Sequence, residues 1–211
     1  IGDQAFFGCK SLKRMKVPLT VKIIGMRAFA DCKQLVDVEI SEGLEEIGDY
    51  AFYKCISLKS IKIPSSVTII ARLAFLSCEQ LMEVELSEGL EQVCSNAFEG
   101  CKSLKHFKVP STVKAIGGYA FRDCLKLEDV ELCEGLKQID SYALMNCKSL
   151  KRIKIPSTAK AIGREAFKNC DELAEVELCG WINDDSMIAF RHFHLHSLSQ
   201  SNASTLLKRN A

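Results

Sequence analysis

Apolar residues recur along this chain with a period of 23 residues that contains no insertion or deletion. The marker is an Ala-Phe pair, whose copies fall at Ala5-Phe6, Ala28-Phe29, Ala51-Phe52, Ala74-Phe75, Ala97-Phe98, Ala120-Phe121, Ala143-Leu144 and Ala166-Phe167. A cysteine follows each pair in the same phase, from Cys9 to Cys170, and a leucine stands three residues after each cysteine. A fixed period of this length is typical of architectures in which similar units stack.

Within one unit the spacing of apolar residues changes. Ala51, Cys55 and Leu58 stand at i, i+4 and i+7, which predicts a short helical turn. Residues 60–63 alternate polar and apolar, as in a half-buried strand. Ordering one unit costs roughly 1.5 kcal/mol of free energy per residue. This cost exceeds the gain from burying its six to eight apolar side chains, at about 1.5–3 kcal/mol each. The units must therefore stack and share a core. We therefore predict an α/β repeat: a solenoid with a parallel β-sheet on its concave face and short helical turns on the other side.

A second rhythm of 46 residues overlies the first. Pro18, Pro64, Pro110 and Pro156 end alternate strands, whereas Glu-Gly-Leu follows the strands between them at residues 42–44, 88–90 and 134–136. Proline fixes φ and glycine frees it, so the two kinds of unit leave the sheet by different turns. The true design unit is therefore expected to be 46 residues.

The most regular part of one 23-residue unit runs from Ile47 to Pro64 and reads I-G-x-x-A-F-x-x-C-x-x-L-x-x-I-x-I-P. This pattern resembles the BspA-like class of leucine-rich repeats, and the resemblance covers residues 1–178. It implies a right-handed parallel solenoid of a kind often found in cell-surface, adhesion or host-interaction proteins. It also implies that no enzymatic activity belongs to the repeat itself.

The two ends of the chain depart from the regular pattern. Ala189-Phe190 continues the series, but Phe193 replaces the expected cysteine and His196 the expected leucine. We therefore predict a solenoid over 1–178, a degenerate capping unit over 179–200 and a polar, mobile tail over 201–211. The chain begins in the middle of a unit, so we expect it to be a piece of a longer protein.

The overall charge excludes some kinds of partner. The chain has 28 basic and 27 acidic residues, a formal net charge of +1, which gives no net attraction to nucleic acid. No apolar run approaches the roughly 18 residues of a membrane-spanning helix, so membrane insertion is not expected.

The local charge pattern is more informative. The residues predicted to point outward from the strands are basic and acidic in turn. They are Arg14 and Lys16, Asp37 and Glu39, Ser60 and Lys62, Glu83 and Glu85, His106 and Lys108, Asp129 and Glu131, Arg152 and Lys154, and Glu175 and Glu177.

These alternating charges have two compatible interpretations. Opposite charges on neighbouring strands stabilise the sheet and its register by roughly 0.2–1 kcal/mol per pair. The same face is also a candidate docking surface for a folded protein. The leading hypothesis is a non-enzymatic protein–protein interaction module, within a surface or scaffold protein, that binds its partner through the concave sheet. The alternative is a structural or self-associating spacer.

Cysteines and histidines are the candidate metal ligands. The eight in-phase cysteines form no Cys-x-x-Cys pair and are predicted to point inward as buried free thiols. Free thiols favour an intracellular compartment, whereas the family resemblance allows the cell surface. His192, His194 and His196 would share one face of an extended strand, but the phase of the repeat favours the capping unit over a metal site. No phosphate-binding glycine loop, nucleophile elbow or zincin motif is present, so neither cofactor, metal nor enzymatic activity is predicted.

Overall fold

The computed structural model describes residues 1–180 and Ala189. Over this range the chain is a parallel β-solenoid of about seven turns, and each turn carries one strand of four residues and one of two residues. The four-residue strands are β1 (Arg14–Val17), β3 (Asp37–Ile40), β5 (Ser60–Ile63), β7 (Glu83–Leu86), β9 (His106–Val109), β11 (Asp129–Leu132), β13 (Arg152–Ile155) and β15 (Glu175–Leu178). The two-residue strands are β2 (Ile23–Ile24), β4 (Glu46–Ile47), β6 (Ile69–Ile70), β8 (Gln92–Val93), β10 (Ala115–Ile116), β12 (Gln138–Ile139) and β14 (Ala161–Ile162).

The two sets of strands form different kinds of sheet. The short strands make one continuous seven-stranded parallel sheet, from β2 to β14. The long strands pair with a register of 23 residues but separate into β1–β3, β5–β7 and β9–β11–β13–β15. Even within the four-stranded group, β11 pairs with β13 through only two residues, whereas β9–β11 and β13–β15 each pair through four. The long-strand sheet thus alternates between tight and loose interfaces every 46 residues.

Proline explains the loose interfaces. After the tight pair β1–β3, the backbone N–H of Ser41 donates to the carbonyl of Val17 at 3.2 Å. The equivalent donor for the carbonyl of Ile40 would be Pro64, which has no N–H. The same bond is absent where Pro110 and Pro156 end the following strands. The predicted 46-residue unit is therefore confirmed as a pair of coils.

The predicted helical turns are wrong, because none of residues 1–180 lies in a helix. In the segment read as helical, every second N–H bonds to a carbonyl three residues earlier, as that of Tyr53 does to Tyr50 at 3.0 Å. The N–H groups between them bond to the next coil, as that of Phe52 does to Ala74 at 2.7 Å. The segment is a series of tight turns whose remaining donors join neighbouring coils.

Two residues per coil with left-handed backbone produce these turns. One precedes the repeated alanine and the other precedes the repeated cysteine, for example Tyr50 with φ 58° and Lys54 with φ 56°. A residue with positive φ cannot continue an α-helix, so the apolar residues at i, i+4 and i+7 face one side without helical geometry between them. We call this part of each coil the turn side.

The core lies between the two sheets and the turn side. The repeated phenylalanines from Phe29 to Phe167 are fully buried, and Phe6 is half-buried. Their rings stack from coil to coil, with centroids 5.1–5.2 Å apart from Phe6 to Phe98. The predicted burial is confirmed for the seven in-phase cysteines from Cys32 to Cys170, whereas the first in-phase cysteine, Cys9, is half-buried. All eleven cysteines of the chain are free. Ala189, which continues the alanine series, is also buried in the core.

Each buried thiol has a hydrogen-bonding role. Cys78 Sγ donates to the carbonyl of Phe52 at 3.1 Å, and the backbone N–H of Cys55 donates to that same carbonyl at 3.1 Å. The bond recurs along the column, as from Cys55 to Phe29. Cysteine is thus a small apolar residue that also satisfies the second lone pair of a buried carbonyl.

Candidate interaction surface

The outward side chains of the long strands form one surface, which we call the charged face. It contains all fifteen predicted partner-binding residues together with Ser60. Asp129 and Glu177 are half-buried, and the others are exposed. The residues between them, such as Val38, Ile61 and Val130, are buried and fix the strands to the core.

Ion pairs on the charged face follow the tight interfaces. Lys16–Glu39, Lys62–Glu85, Lys108–Glu131 and Lys154–Glu177 have Nζ–Oε1 distances of 2.7, 2.6, 2.8 and 2.9 Å. Each lysine lies on a long strand that is directly followed by proline, and each glutamate lies on the next long strand. Across the loose interfaces of this face, the ion pair formed among the described residues joins Arg152 to Asp129 at 3.7 Å. Ten residues of the charged face therefore neutralise one another in five pairs.

The ion pairs influence protonation. Hydrogen bonds that Lys62, Lys108 and Lys154 donate to Glu85, Glu131 and Glu177 raise the pKa of these lysines. The bond from Lys154 lowers the pKa of Glu177. In each case the hydrogen bond favours the charged form of the group whose pKa shifts.

A shallow pocket of about 360 Å³ lies on the charged face over β11, β13 and β15. Its charged lining is Asp129, Glu131, Arg152, Lys154, Glu175 and Glu177. Val130, Leu132 and Ile153 also line the pocket, but their side chains are buried in the core. The pocket includes the loose β11–β13 interface, where pairing stops after two residues. Charges of both signs around one depression suit polar groups of a protein partner.

Glutamates that follow the acidic strands form a set of contacts that the sequence analysis missed. Glu134 accepts hydrogen bonds from the hydroxyl and the backbone N–H of Ser157, both at 3.0 Å, and Gly135 N–H donates to the Thr158 hydroxyl at 2.9 Å. Glu88 makes the equivalent contacts with Ser111. We call each such group a clasp. Clasps cross the loose interfaces, and the 46-residue alternation of Glu-Gly with Pro-Ser is the sequence signal that could have revealed them.

Hydrogen bonds from the following coil lower the pKa of both clasp carboxylates. For Glu134 the largest contribution comes from the backbone N–H of Ser157, and for Glu88 it comes from the hydroxyl of Ser111. A depressed carboxyl pKa means that the clasp stabilises the fold most when the group is ionised.

The turn side presents a second surface, in which tyrosines lie among charged residues. Arg27 lies 5.1 Å from the ring centroid of Tyr50, and Tyr50 meets Tyr53 edge to face at 5.7 Å. Further along, Tyr119 and Tyr142 stack at 4.9 Å. These residues lie in the segment predicted to be helical, and the helical spacing does not bring them together as one group.

Within residues 1–180 and Ala189, no three His, Cys, Asp or Glu side chains come together to hold a metal ion. The capping unit beyond residue 180, the tail and His192, His194 and His196 lie outside the described residues, Ala189 excepted. Residues 1–180 and Ala189 contain no helix long and apolar enough to cross a membrane.

Comparison with protein-family models decides what kind of chain this is. The model of the BspA type leucine-rich repeat region matches residues 1–125 and 92–211, with six copies. The chain belongs to the BspA-type leucine-rich repeat family. Among curated proteins no match is found.

Solved structures of similar proteins support this assignment. A leucine-rich repeat protein from Bacteroides ovatus is 29% identical, with a TM-score of 0.66 over 89% of this chain and 56% of the other. A leucine rich cell surface protein from Faecalibacterium prausnitzii is 26% identical, with a TM-score of 0.59 over 85% and 42%. The T. pallidum leucine-rich repeat protein is 30% identical, with a TM-score of 0.56 over 82% and 70%. The present chain thus spans about half the length of the first two proteins.

Proposed function

We propose that this BspA-type solenoid is a non-enzymatic protein-interaction module whose charged face binds a folded protein. The observation that carries the proposal is the alignment of eight strands whose outward residues are mostly exposed while their inward residues are buried. Strands fixed to a packed core present their side chains with little entropy left to lose on binding. We further propose that this face lies on the concave side of a right-handed solenoid, where a partner would contact several coils.

Its charge pattern supports a protein partner over a nucleic acid. Nucleic-acid binding is driven by clustered cations that neutralise phosphates. Here each of the four lysines nearest the strand ends has a glutamate within 2.6–2.9 Å. Banded charge of both signs favours a partner with complementary bands and discriminates against a uniform polyanion.

Within this face we propose the pocket over β11, β13 and β15 as the centre of the interface. Binding energy concentrates where an apolar or aromatic anchor fills a pocket surrounded by polar groups. Arg152 and Glu175 are among the charges that surround this pocket. We assign no catalytic chemistry to the face, because its carboxylates are spaced evenly along the coils rather than gathered as one acid–base pair.

A charge swap separates binding from stability. The double variant Lys62→Glu with Glu85→Lys retains an ion pair across β5–β7 but reverses the order of charge on the face. A photo-crosslinking amino acid placed at Ser60, which is exposed on this face, should capture a partner, whereas one at Gln92 on the short-strand sheet should not.

With the proposal correct, the charge swap leaves the melting temperature close to that of the unmodified chain while the capture at Ser60 is lost. Equal capture at Ser60 and Gln92, or capture that survives the swap, would refute docking on the charged face.

A structural or self-associating spacer is the second candidate function, favoured by the ion pairs that neutralise the charged face within the chain. It predicts dimers or larger oligomers whose fraction rises with concentration in sedimentation velocity. A monomer at all concentrations supports the interaction module instead. Eleven free thiols favour a reducing compartment for either function, while the similarity to a cell surface protein of F. prausnitzii favours the surface.

A further inference from the structure

The turn side carries side chains that the fold itself does not require. Two positions in every coil have a left-handed backbone, and they differ sharply in residue type. The position before cysteine holds Gly8, Asp31, Lys54, Ser77, Gly100, Asp123, Asn146 and Asn169. The position before alanine holds Gln4, Arg27, Tyr50, Leu73, Asn96, Tyr119, Tyr142 and Glu165.

The first set is dominated by glycine, asparagine and aspartate, which adopt positive φ at low cost. The second set contains three tyrosines and a leucine, for which the same backbone is unfavourable. Both sets have nearly the same φ, as in Tyr142 (61°) and Asn146 (63°). The conformational preference of the backbone therefore does not explain why tyrosine occupies the position before alanine. They are half-buried rather than part of the core, so interior packing does not explain them either.

Tyr50 lies in the larger of two aromatic groups, which we call the tyrosine patch and define as Arg27, Tyr50, Tyr53, Lys54, Leu73 and Leu76. Tyr50 and Tyr53 contact each other edge to face, and Leu73 and Leu76 occupy the same two positions in the next coil. The four apolar and aromatic residues are half-buried, and the two cations are exposed. Tyrosine and arginine are enriched among the residues that dominate binding in protein interfaces. A tyrosine ring offers a large contact area and loses little conformational entropy when a partner binds.

The cations of the patch differ from several other cations of the turn side, which pair with carboxylates. Arg72 pairs with Asp49 at 2.9 Å, Arg122 pairs with the buried Glu99, and Lys168 pairs with Glu165 at 2.6 Å. Within the part of the chain that the structure describes, Arg27 and Lys54 form no ion pair, and each lies over a tyrosine ring, at 5.1 and 4.9 Å. The hydrogen bond with Tyr53 is the largest cause of the raised pKa of Lys54, and the carboxylate of Asp31 contributes least.

We propose that the tyrosine patch binds an acidic segment of a partner protein that carries an apolar anchor residue. The anchor would pack on Tyr50, Tyr53 and the leucines, and the segment's carboxylates would pair with Arg27 and Lys54. Charge complementarity selects this partner, because the two uncommitted cations flank the aromatic surface. The site is separate from the charged face, so it adds a second binding surface on another side of the solenoid.

The test uses the full chain and a fluorescein-labelled peptide, Glu-Glu-Leu-Trp-Glu-Glu, followed by fluorescence anisotropy. Two control peptides replace every Glu by Gln or by Lys. We expect the acidic peptide to bind about tenfold or more tightly than the Gln peptide, which corresponds to about 1.4 kcal/mol. We expect the Lys peptide not to bind. Arg27→Gln combined with Lys54→Gln should remove the preference for the acidic peptide.

Asparagine substitutions test the role of the rings. Tyr50→Asn with Tyr53→Asn should weaken the acidic peptide about tenfold, again about 1.4 kcal/mol. Because asparagine tolerates positive φ, Tyr50→Asn alone should leave the melting temperature unchanged or raise it. Tyr142→Asn is the matched control, since Tyr142 has the same left-handed backbone but belongs to the group where Arg122 already has a carboxylate partner. It should leave peptide binding unchanged.

Several results would overturn the proposal. They are failure of the acidic peptide to bind, equal binding of the Gln peptide, or an equal loss of binding in Tyr142→Asn. A marked fall in the melting temperature of Tyr50→Asn with unchanged binding would show that the ring has a structural role. Dimers of the chain that disappear in Tyr50→Asn would assign the patch to self-association instead.

Discussion

Neighbouring phenylalanines of the stack should make coupled, rather than independent, contributions to the free energy of unfolding. Phe52 and Phe75 are both fully buried, with ring centroids 5.1 Å apart and planes 5° from parallel. Replacing either ring by leucine keeps the site apolar but removes the aromatic contact. Such contacts contribute about 0.5–1.5 kcal/mol beyond the area that they bury. A double-mutant cycle of Phe52→Leu and Phe75→Leu should therefore give a coupling of about 0.5–1.5 kcal/mol.

Urea unfolding followed by far-UV circular dichroism measures the four free energies of the cycle. The control cycle combines Phe29→Leu with Phe75→Leu, because Phe52 lies between these two rings. We expect that pair to be additive within about 0.3–0.5 kcal/mol. A coupling of Phe52 with Phe75 no larger than the control would refute the aromatic contribution and leave only burial. Similar slopes of free energy against urea among the variants would show that they unfold by the same transition.

Three further outcomes are expected. Lys62→Glu, which places acidic residues on three successive strands, should lower the melting temperature at low salt and less so at high salt; an unchanged low-salt midpoint would contradict the ion-pair interpretation. Glu134→Gln should destabilise the chain near neutral pH. The difference in unfolding free energy between variant and unmodified chain should shrink as pH falls below the ordinary carboxyl pKa of 4.5. The reason is that a depressed pKa stabilises the folded state only while the carboxyl group is ionised. A pH-independent difference would contradict a role for that charge. Thiol reagent should label exposed Cys179 rapidly and buried Cys78 only after unfolding, since burial raises the pKa of Cys78; equal rates would contradict the packing.

The repeat period predicted the parts of the fold that depend on side-chain alternation. Residues 60–63 form a strand with the expected buried and exposed sides, and the predicted register of 23 residues is observed. The helix prediction failed because apolar spacing reports which side a residue faces and not how the backbone reaches it. Gly8, Gly100 and Asn146, placed inside the supposed helices, were the available signal for left-handed turns. The two-residue strands are too short to show any period.

The placement of the site was predictable only in part, for the same reason. Outward charges such as Lys62 and Glu85 follow from alternation, so their common face could be inferred. Which charges pair could not, because the answer depends on the tight and loose interfaces. The tyrosine patch escaped prediction because the positions of Tyr50 and Tyr53 had been assigned to the wrong backbone.

The loose interfaces and the clasps are two results of one sequence device. Pro156 removes a donor from the interface between β11 and β13, and the next two residues, Ser157 and Thr158, supply side-chain hydroxyls to the same interface. Their partners Glu134 and Gly135 follow the acidic strand, so Pro-Ser and Glu-Gly are complementary halves that meet only when the two kinds of coil alternate. A coil that ended in proline next to another such coil would lose the ladder bond without gaining the clasp. The order of coils is therefore specified by turn chemistry as well as by charge, which makes a pair of coils, rather than a single 23-residue unit, the smallest segment that can be exchanged or inserted without disturbing its neighbours.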